Sequence, residues 1–106
     1  MLAEAFDSPD ALARILVPVR LAREGEESLL SRSQAKRLLQ GVERFPQVVF
    51  DFEGIEKIGQ AFADEIFRVF ALEHPNVQVV AMHARPEVQQ MIRRAEVLRD
   101  ETQDAR

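Results

Sequence analysis

The sequence contains no cysteine, no tryptophan and no tyrosine. Without cysteine, the chain cannot form a disulfide, a thiolate nucleophile or a cysteine–zinc site, and it suits the reducing cytoplasm that we predict as its location. No apolar run reaches the about 18 residues that a membrane-spanning helix needs. The amino terminus has no basic stretch ahead of an apolar one, so we also expect no secretory signal.

An excess of basic residues is also lacking. The 14 Lys and Arg residues are outnumbered by 18 Asp and Glu residues, which gives a net charge of −4. Because binding to DNA or RNA needs a basic surface that neutralises phosphates, we predict that nucleic acid is not the main partner. Basic residues in the first predicted helix make an accessory role in nucleic-acid regulation a further alternative.

The length of 106 residues predicts a single domain. Hydrophobic residues make up 46% and charged residues 30%, as is usual for a soluble globular protein. We place the domain at residues 15–98, with residues 1–14 as an amino-terminal extension or linker and residues 99–106 as a polar carboxyl-terminal tail.

Strand-like and helix-like patterns alternate along this domain. The predicted strands are residues 15–21, 48–52 and 77–82, and the predicted helices run from Ser31 or Ser33 to Pro46, from Gln60 to Leu72, and onward from Pro86. This β-α-β-α-β-α order predicts an α/β fold with a small, mostly parallel sheet and helices packed on it.

Two features predict where individual strands lie in that sheet. Pro18 has no N–H to donate, so the first strand is expected at an edge, where it could pair with a copy of itself in a homodimer. The nearly continuous apolar run over residues 48–52 is typical of a central strand that is covered on both faces.

Polar residues follow the second and third strands, where ligands and partners of open α/β sheets bind. Asp51, Glu53 and Gly54 resemble the strand-end motif of haloacid-dehalogenase-type phosphatases, in which two acids act beside magnesium as nucleophile and general acid/base. Here the second acid is Glu53, and no convincing lysine and acidic pair follows. A metal-assisted phosphohydrolase that uses Asp51 and Glu53 is therefore the alternative function.

Other catalytic or metal sites are not indicated. The serines lie outside any Gly-x-Ser-x-Gly elbow, and His74 and His83 lack the spacing of a zinc site. His83 is placed at the same sheet edge as Asp51 and is interpreted as a surface or core-edge residue. We predict no catalytic residue, no metal and no cofactor, and hence a protein that is not an enzyme.

Three segments resemble the bacterial STAS-like domain family, distant relatives of the anti-sigma factor antagonists. They are residues 31–39, 51–55 and 58–70, of which Phe62-Ala63-Asp64-Glu65 is the most specific part. The resemblance implies a STAS-type fold and a regulatory role through contact with another protein. It also implies a partner such as a histidine-kinase-like ATPase domain, in the same chain or in another.

The chain departs from the better-known antagonists at one loop. Those proteins carry a phosphorylatable serine just before a helix, whereas the corresponding residues here, 58–62, contain no Ser or Thr. A phosphate switch at this position is chemically unavailable, so another input must replace it.

The same loop supplies the predicted contact surface. Gly54 and Gly59 would let the backbone bend tightly and approach a partner, and the exposed side of the following helix would complete the surface. The predicted partner-binding residues are Glu56, Lys57, Gly59, Gln60, Asp64 and Glu65. Residues Ser31, Arg32 and Ser33 are predicted to cap the first helix, with anion binding there as the alternative.

Overall fold

A parallel sheet forms the centre of the fold in the computed structural model, which describes residues 13–23, 25 and 28–104. Within these residues the strands are β1 (Arg14–Pro18), β2 (Gln47–Asp51) and β3 (Gln78–Met82), in the spatial order β1-β2-β3. Both pairings are parallel, and Leu16, Val49 and Val80 lie in one row across the sheet. The predicted α/β class with a parallel sheet is confirmed.

The positions of β1 and β2 in the sheet follow from their residues. β2 is central, and its Val48 and Phe50 are completely buried. β1 lies at the edge, as Pro18 predicts, but the strand is shorter than the predicted residues 15–21. After Pro18 the chain turns into a 3₁₀-helix, Val19–Ala22, because this turn buries both of its end residues in the core.

Three principal helices complete the predicted β-α-β-α-β-α order among the described residues. They are α1 (Arg32–Leu39), α2 (residues 60–73) and α3 (Pro86–Asp104). α1 ends well before Pro46, contrary to prediction, because Gly41 adopts a left-handed conformation (φ 80°) ahead of the short 3₁₀-helix Val42–Arg44. The middle of α2, Glu65–Phe70, is π-helical.

The core lies between the sheet and α2. Phe62, Ile66 and Phe67 of α2 are almost completely buried. The Phe67 ring packs against both Phe50 and Phe52 of the β2 region, with centroid distances of 6.2 and 6.3 Å. These are favourable separations for aromatic pairs, so phenylalanine alone supplies the aromatic core that the sequence otherwise lacks.

α3 packs on α2 through Val88, Ile92 and Ala95, which are buried. Leu98, which follows Ala95 at helical spacing, is 43% exposed. The helix continues past Leu98 to Asp104, so most of the predicted tail is helical. Among the described residues, every helix is too short or too polar to span a lipid bilayer. The predicted extension, residues 1–14, falls almost wholly outside the described residues.

Candidate functional site

The loop between β2 and α2 is anchored in the core but keeps an exposed tip. Ile55 and Ile58 are buried, whereas Glu56 and Lys57 between them are exposed. Gly54 makes the turn after the strand with a φ of 81°, a conformation that glycine adopts without strain. The two predicted partner-binding residues at the tip are thus accessible and held on a fixed backbone.

Gly59 lies against the chain's own backbone. Leu29 and Ile58 form a parallel β-bridge, and the Gly59 N–H donates to the Leu29 carbonyl over 2.8 Å. A Cβ atom at position 59 would lie 2.9 Å from the Leu30 Cα, closer than real Cβ atoms come to another atom. The close approach that we predicted for a partner is therefore made by residues 29–30 of this chain.

Asp64 and Glu65 do not lie on an exposed helix face, and that prediction is wrong. They are 7% and 6% exposed, because α1 covers this side of α2 and brings Arg32 onto both carboxylates. Arg32 Nη1 lies 2.7 Å from Asp64 Oδ2 and 3.5 Å from Glu65 Oε1. Arg68, one helical turn after Asp64 on α2, donates from Nη2 to Asp64 Oδ2 over 2.7 Å.

The Asp64 carboxylate is the electrostatic centre of this cluster. Its two oxygens accept hydrogen bonds from Arg68, and one of them also accepts from Arg32. The hydrogen bonds from Arg68, and after them that from Arg32, lower the pKa of Asp64 although burial alone would raise it. Asp64 therefore stays ionised and ties α1 to α2.

Ser31 caps α1, as one of the two serines was predicted to do. Its Oγ accepts from the Gln34 N–H over 3.2 Å, and the Gln34 side chain accepts from the Ser31 N–H over 2.9 Å. This is a capping box, which satisfies amides at the helix start with the chain's own groups. Ser33 is exposed, and its hydroxyl lies 3.0 Å from the Ser31 hydroxyl. Gln34 was missed by the sequence reasoning, although the Ser-x-x-Gln spacing signals it.

A groove opens where α2 begins. It consists of two adjoining pockets, of about 490 and 650 Å³, which share Gln60 and Leu98 as lining residues. The side chains that line the groove come from α1, α2 and α3. They are Arg32, Gln60, Ala61, Asp64, Arg68, Gln90, Arg93, Arg94, Val97, Leu98 and Thr102.

A second polar cluster lies at the carboxyl ends of β2 and β3. His83 Nδ1 lies 2.8 Å from Asp51 Oδ1, which also accepts the Glu53 N–H over 3.0 Å. Because an ionised carboxylate can only accept, the ring nitrogen is the donor, and the hydrogen bond lowers the pKa of Asp51 and raises that of His83. Ligand atoms of Asp51, Glu53 and His83 lie within 4.8 Å of one another.

The sequence reasoning placed these three residues at one edge but did not pair Asp51 with His83. The signal was available, because parallel neighbouring strands bring the residues that follow them together. His83 adopts a left-handed φ of 58°, the one such non-glycine value among the described residues. Its side chain is 56% exposed, as the surface interpretation of His83 predicted.

The architecture and the loop before α2 define a small α/β domain of STAS-like type. The family described as "STAS-like domain of unknown function (DUF4325)" matches residues 34–89, slightly more than half of the chain. The chain belongs to this family, as the resemblance of its segments indicated. Comparison with curated proteins and with solved structures found no significant match.

Proposed function

We propose that this domain regulates another protein by direct, non-catalytic contact through the surface around Gln60. Membership of a STAS-like family is consistent with a regulatory interaction module. Fold alone is a limited warrant for function, so the proposal depends on the properties of the surface itself.

The observation that carries the proposal is a flank of exposed apolar side chains around the start of α2. Leu30, 57% exposed, packs beside Gly59 on one side, and Leu98, 43% exposed, lines the groove with Gln60 on the other. Apolar side chains exposed within a polar rim are typical of protein interfaces. Glu56 and Lys57 lie on the neighbouring loop tip and would contribute to partner choice.

The mode of regulation follows from the loop's chemistry. Residues 58–62 carry no hydroxyl, so partner binding is not switched by phosphorylation of this loop. A histidine-kinase-like ATPase domain, in the same chain or in another, is the partner that we propose. We propose that the contact is made in the cytoplasm. Disulfides do not persist in that reducing compartment, and this chain has no cysteine with which to form one.

Site-specific photo-crosslinking in cells tests this function. A benzophenone amino acid replaces Gln60, and in a matched control it replaces Gln40, which is also exposed but lies near His74 at the far end of α2. We expect a discrete adduct with a regulatory protein at position 60 and none at position 40. No adduct at position 60, or the same adducts at both positions, would contradict the proposal.

A further inference from the structure

The groove beside Gln60 is positively charged although the chain as a whole carries a net charge of −4. Four arginines line its two adjoining pockets: Arg32, Arg68, Arg93 and Arg94. Of the described lining residues, only Asp64 is acidic. A local excess of positive charge therefore stands against the overall charge of the protein.

The charges on the two sides of the groove are compensated differently. On the α2 side, Asp64 accepts hydrogen bonds from both Arg32 and Arg68. On the α3 side, Arg93 and Arg94 are exposed, and neither makes an ion pair or a side-chain hydrogen bond within the described part of the chain. These two guanidinium groups are available to an anionic ligand.

Apolar surface adjoins the two available arginines. Val97 and Leu98 follow Arg93 and Arg94 by one helical turn on α3, and they are 49% and 43% exposed. Their position beside the arginines gives one face of α3 a cationic half and an apolar half, both open to the groove.

Building on the proposed function, we propose that this groove binds an acidic amphipathic helix of the partner protein. Carboxylates of the helix would pair with Arg93 and Arg94, since guanidinium groups match carboxylate geometry in a bidentate manner. Apolar side chains one turn along the same helix would cover Val97 and Leu98, as in other helix-in-groove complexes.

The other anionic macromolecule, a nucleic acid, fits this groove less well. Its phosphates would leave the apolar half uncovered, and the acidic remainder of the chain would repel the flanking phosphates. A second copy of this chain is the remaining alternative occupant, and the oligomeric state distinguishes it.

The probe is a displayed library of random peptides of about 16 residues, long enough for about four helical turns. The purified chain is the bait, and the double variant Arg93→Glu/Arg94→Glu is the counter-bait. Arg85→Glu, an exposed change just before α3, controls for charge reversal elsewhere. Circular dichroism confirms that each bait is folded, and light scattering gives its oligomeric state.

We expect the selected peptides to combine acidic residues with apolar residues at helical spacing. Their affinity should fall about tenfold or more in the double variant, stay within about twofold in Arg85→Glu, and decrease with added salt. Exchange of Glu for Lys in a selected peptide should restore binding to the double variant.

Several results would overturn this inference. In the peptide selection they are peptides without acidic bias, no selected peptide at all, or undiminished binding to the double variant. Tighter binding of a single-stranded oligonucleotide than of any peptide would point to nucleic acid. A wild-type dimer that becomes monomeric in the double variant would show that a second copy of the chain occupies the groove. A crosslink at position 60 that survives the double variant would retain the proposed function and remove only the acidic-helix partner.

Discussion

Arg32 of α1 donates to Asp64 of α2 over 2.7 Å, and Arg68 holds the same carboxylate from the other side. The bond joins two helices that the sequence separates by a strand and a loop. It also explains how Asp64 remains charged at 9% side-chain exposure. This relationship makes Asp64 a structural anchor of the groove wall.

Asp64→Asn should destabilise the fold by about 1–3 kcal/mol, because Arg32 and Arg68 lose the anion that accepts their hydrogen bonds. The cost stays moderate because both guanidinium groups remain partly exposed to water. Because the pKa of Asp64 is lowered in the folded chain, the ionised carboxylate stabilises the fold at any pH above 3.8, the ordinary pKa of an aspartate. This contribution is lost as the pH falls through the lowered pKa. Urea unfolding at neutral and acidic pH measures both effects.

The matched control for that experiment is Asp100→Asn. The Asp100 side chain is 59% exposed and pairs only with neighbouring Arg99 among the described residues. We expect a change within about 0.5 kcal/mol. Equal effects of the two substitutions would contradict the anchoring role of Asp64.

Gly59→Ala should destabilise the fold by about 1–3 kcal/mol, because the added methyl group would meet the Leu30 backbone, which cannot rotate away. Gly54 provides the contrast, since no atom of the described residues lies within 4 Å of the place that a Cβ atom would take there, whereas its φ of 81° favours glycine. Gly54→Asn should therefore cost less than Gly54→Ala. Thermal unfolding of the three variants tests this, and a neutral Gly59→Ala would rule out the close approach.

Asp51→Asn should lower the pKa of His83 toward its ordinary value, because it removes the carboxylate that stabilises the imidazolium. In the wild-type chain, the raised pKa of His83 stabilises the fold below pH 6.5, and this contribution is lost as the pH rises through the raised pKa. The lowered pKa of Asp51 stabilises the fold above pH 3.8, and this contribution is lost as the pH falls through the lowered pKa of Asp51.

NMR titration of the His83 imidazole measures this coupling. His74 packs on the Phe70 ring, remote from Asp51 in the fold, and its signals should not respond to the Asp51→Asn substitution. An unchanged titration of His83 in the variant would show that the hydrogen bond to Asp51 is not formed in solution.

Magnesium and a generic phosphoester should give no turnover with the wild-type chain. The second acid of the phosphatase motif, which would act as general acid/base, is Glu53 here in place of an aspartate. Asp51 Oδ1 is engaged by His83 and by the Glu53 N–H, which holds the carboxylate in one orientation and leaves Oδ2 as the oxygen that could attack. Turnover that Asp51→Asn abolishes would instead support the phosphohydrolase alternative and contradict a non-catalytic role.

Much of the fold could be predicted because it depends on local patterns. The alternation of strand and helix periods predicted the α/β class, Pro18 the edge position of β1, and the apolar run at residues 48–52 the central strand. The end of α1 was predicted wrongly because a left-handed Gly41 overrides an apolar stripe that continues at helical spacing.

The site was less predictable because its contacts join residues that are distant in the sequence. Arg32 and Asp64 are 32 positions apart, and no periodicity reports that they meet. A helical wheel places Asp64 and Glu65 opposite the apolar face, which indicates solvent exposure until α1 is known to cover it. The exposure of Leu98 likewise depends on α3 extending beyond the elements it packs against.

The β-bridge from Leu29 to Ile58 and the bond from Arg32 to Asp64 fasten the same two segments of chain twice, once through the backbone and once through side chains. The wall of the groove formed by α1 and α2 is therefore preorganised. Because the shape of this wall is set before a ligand binds, little of the binding free energy is spent on ordering the protein. Selectivity then depends on how well the shape of the ligand matches that of the groove.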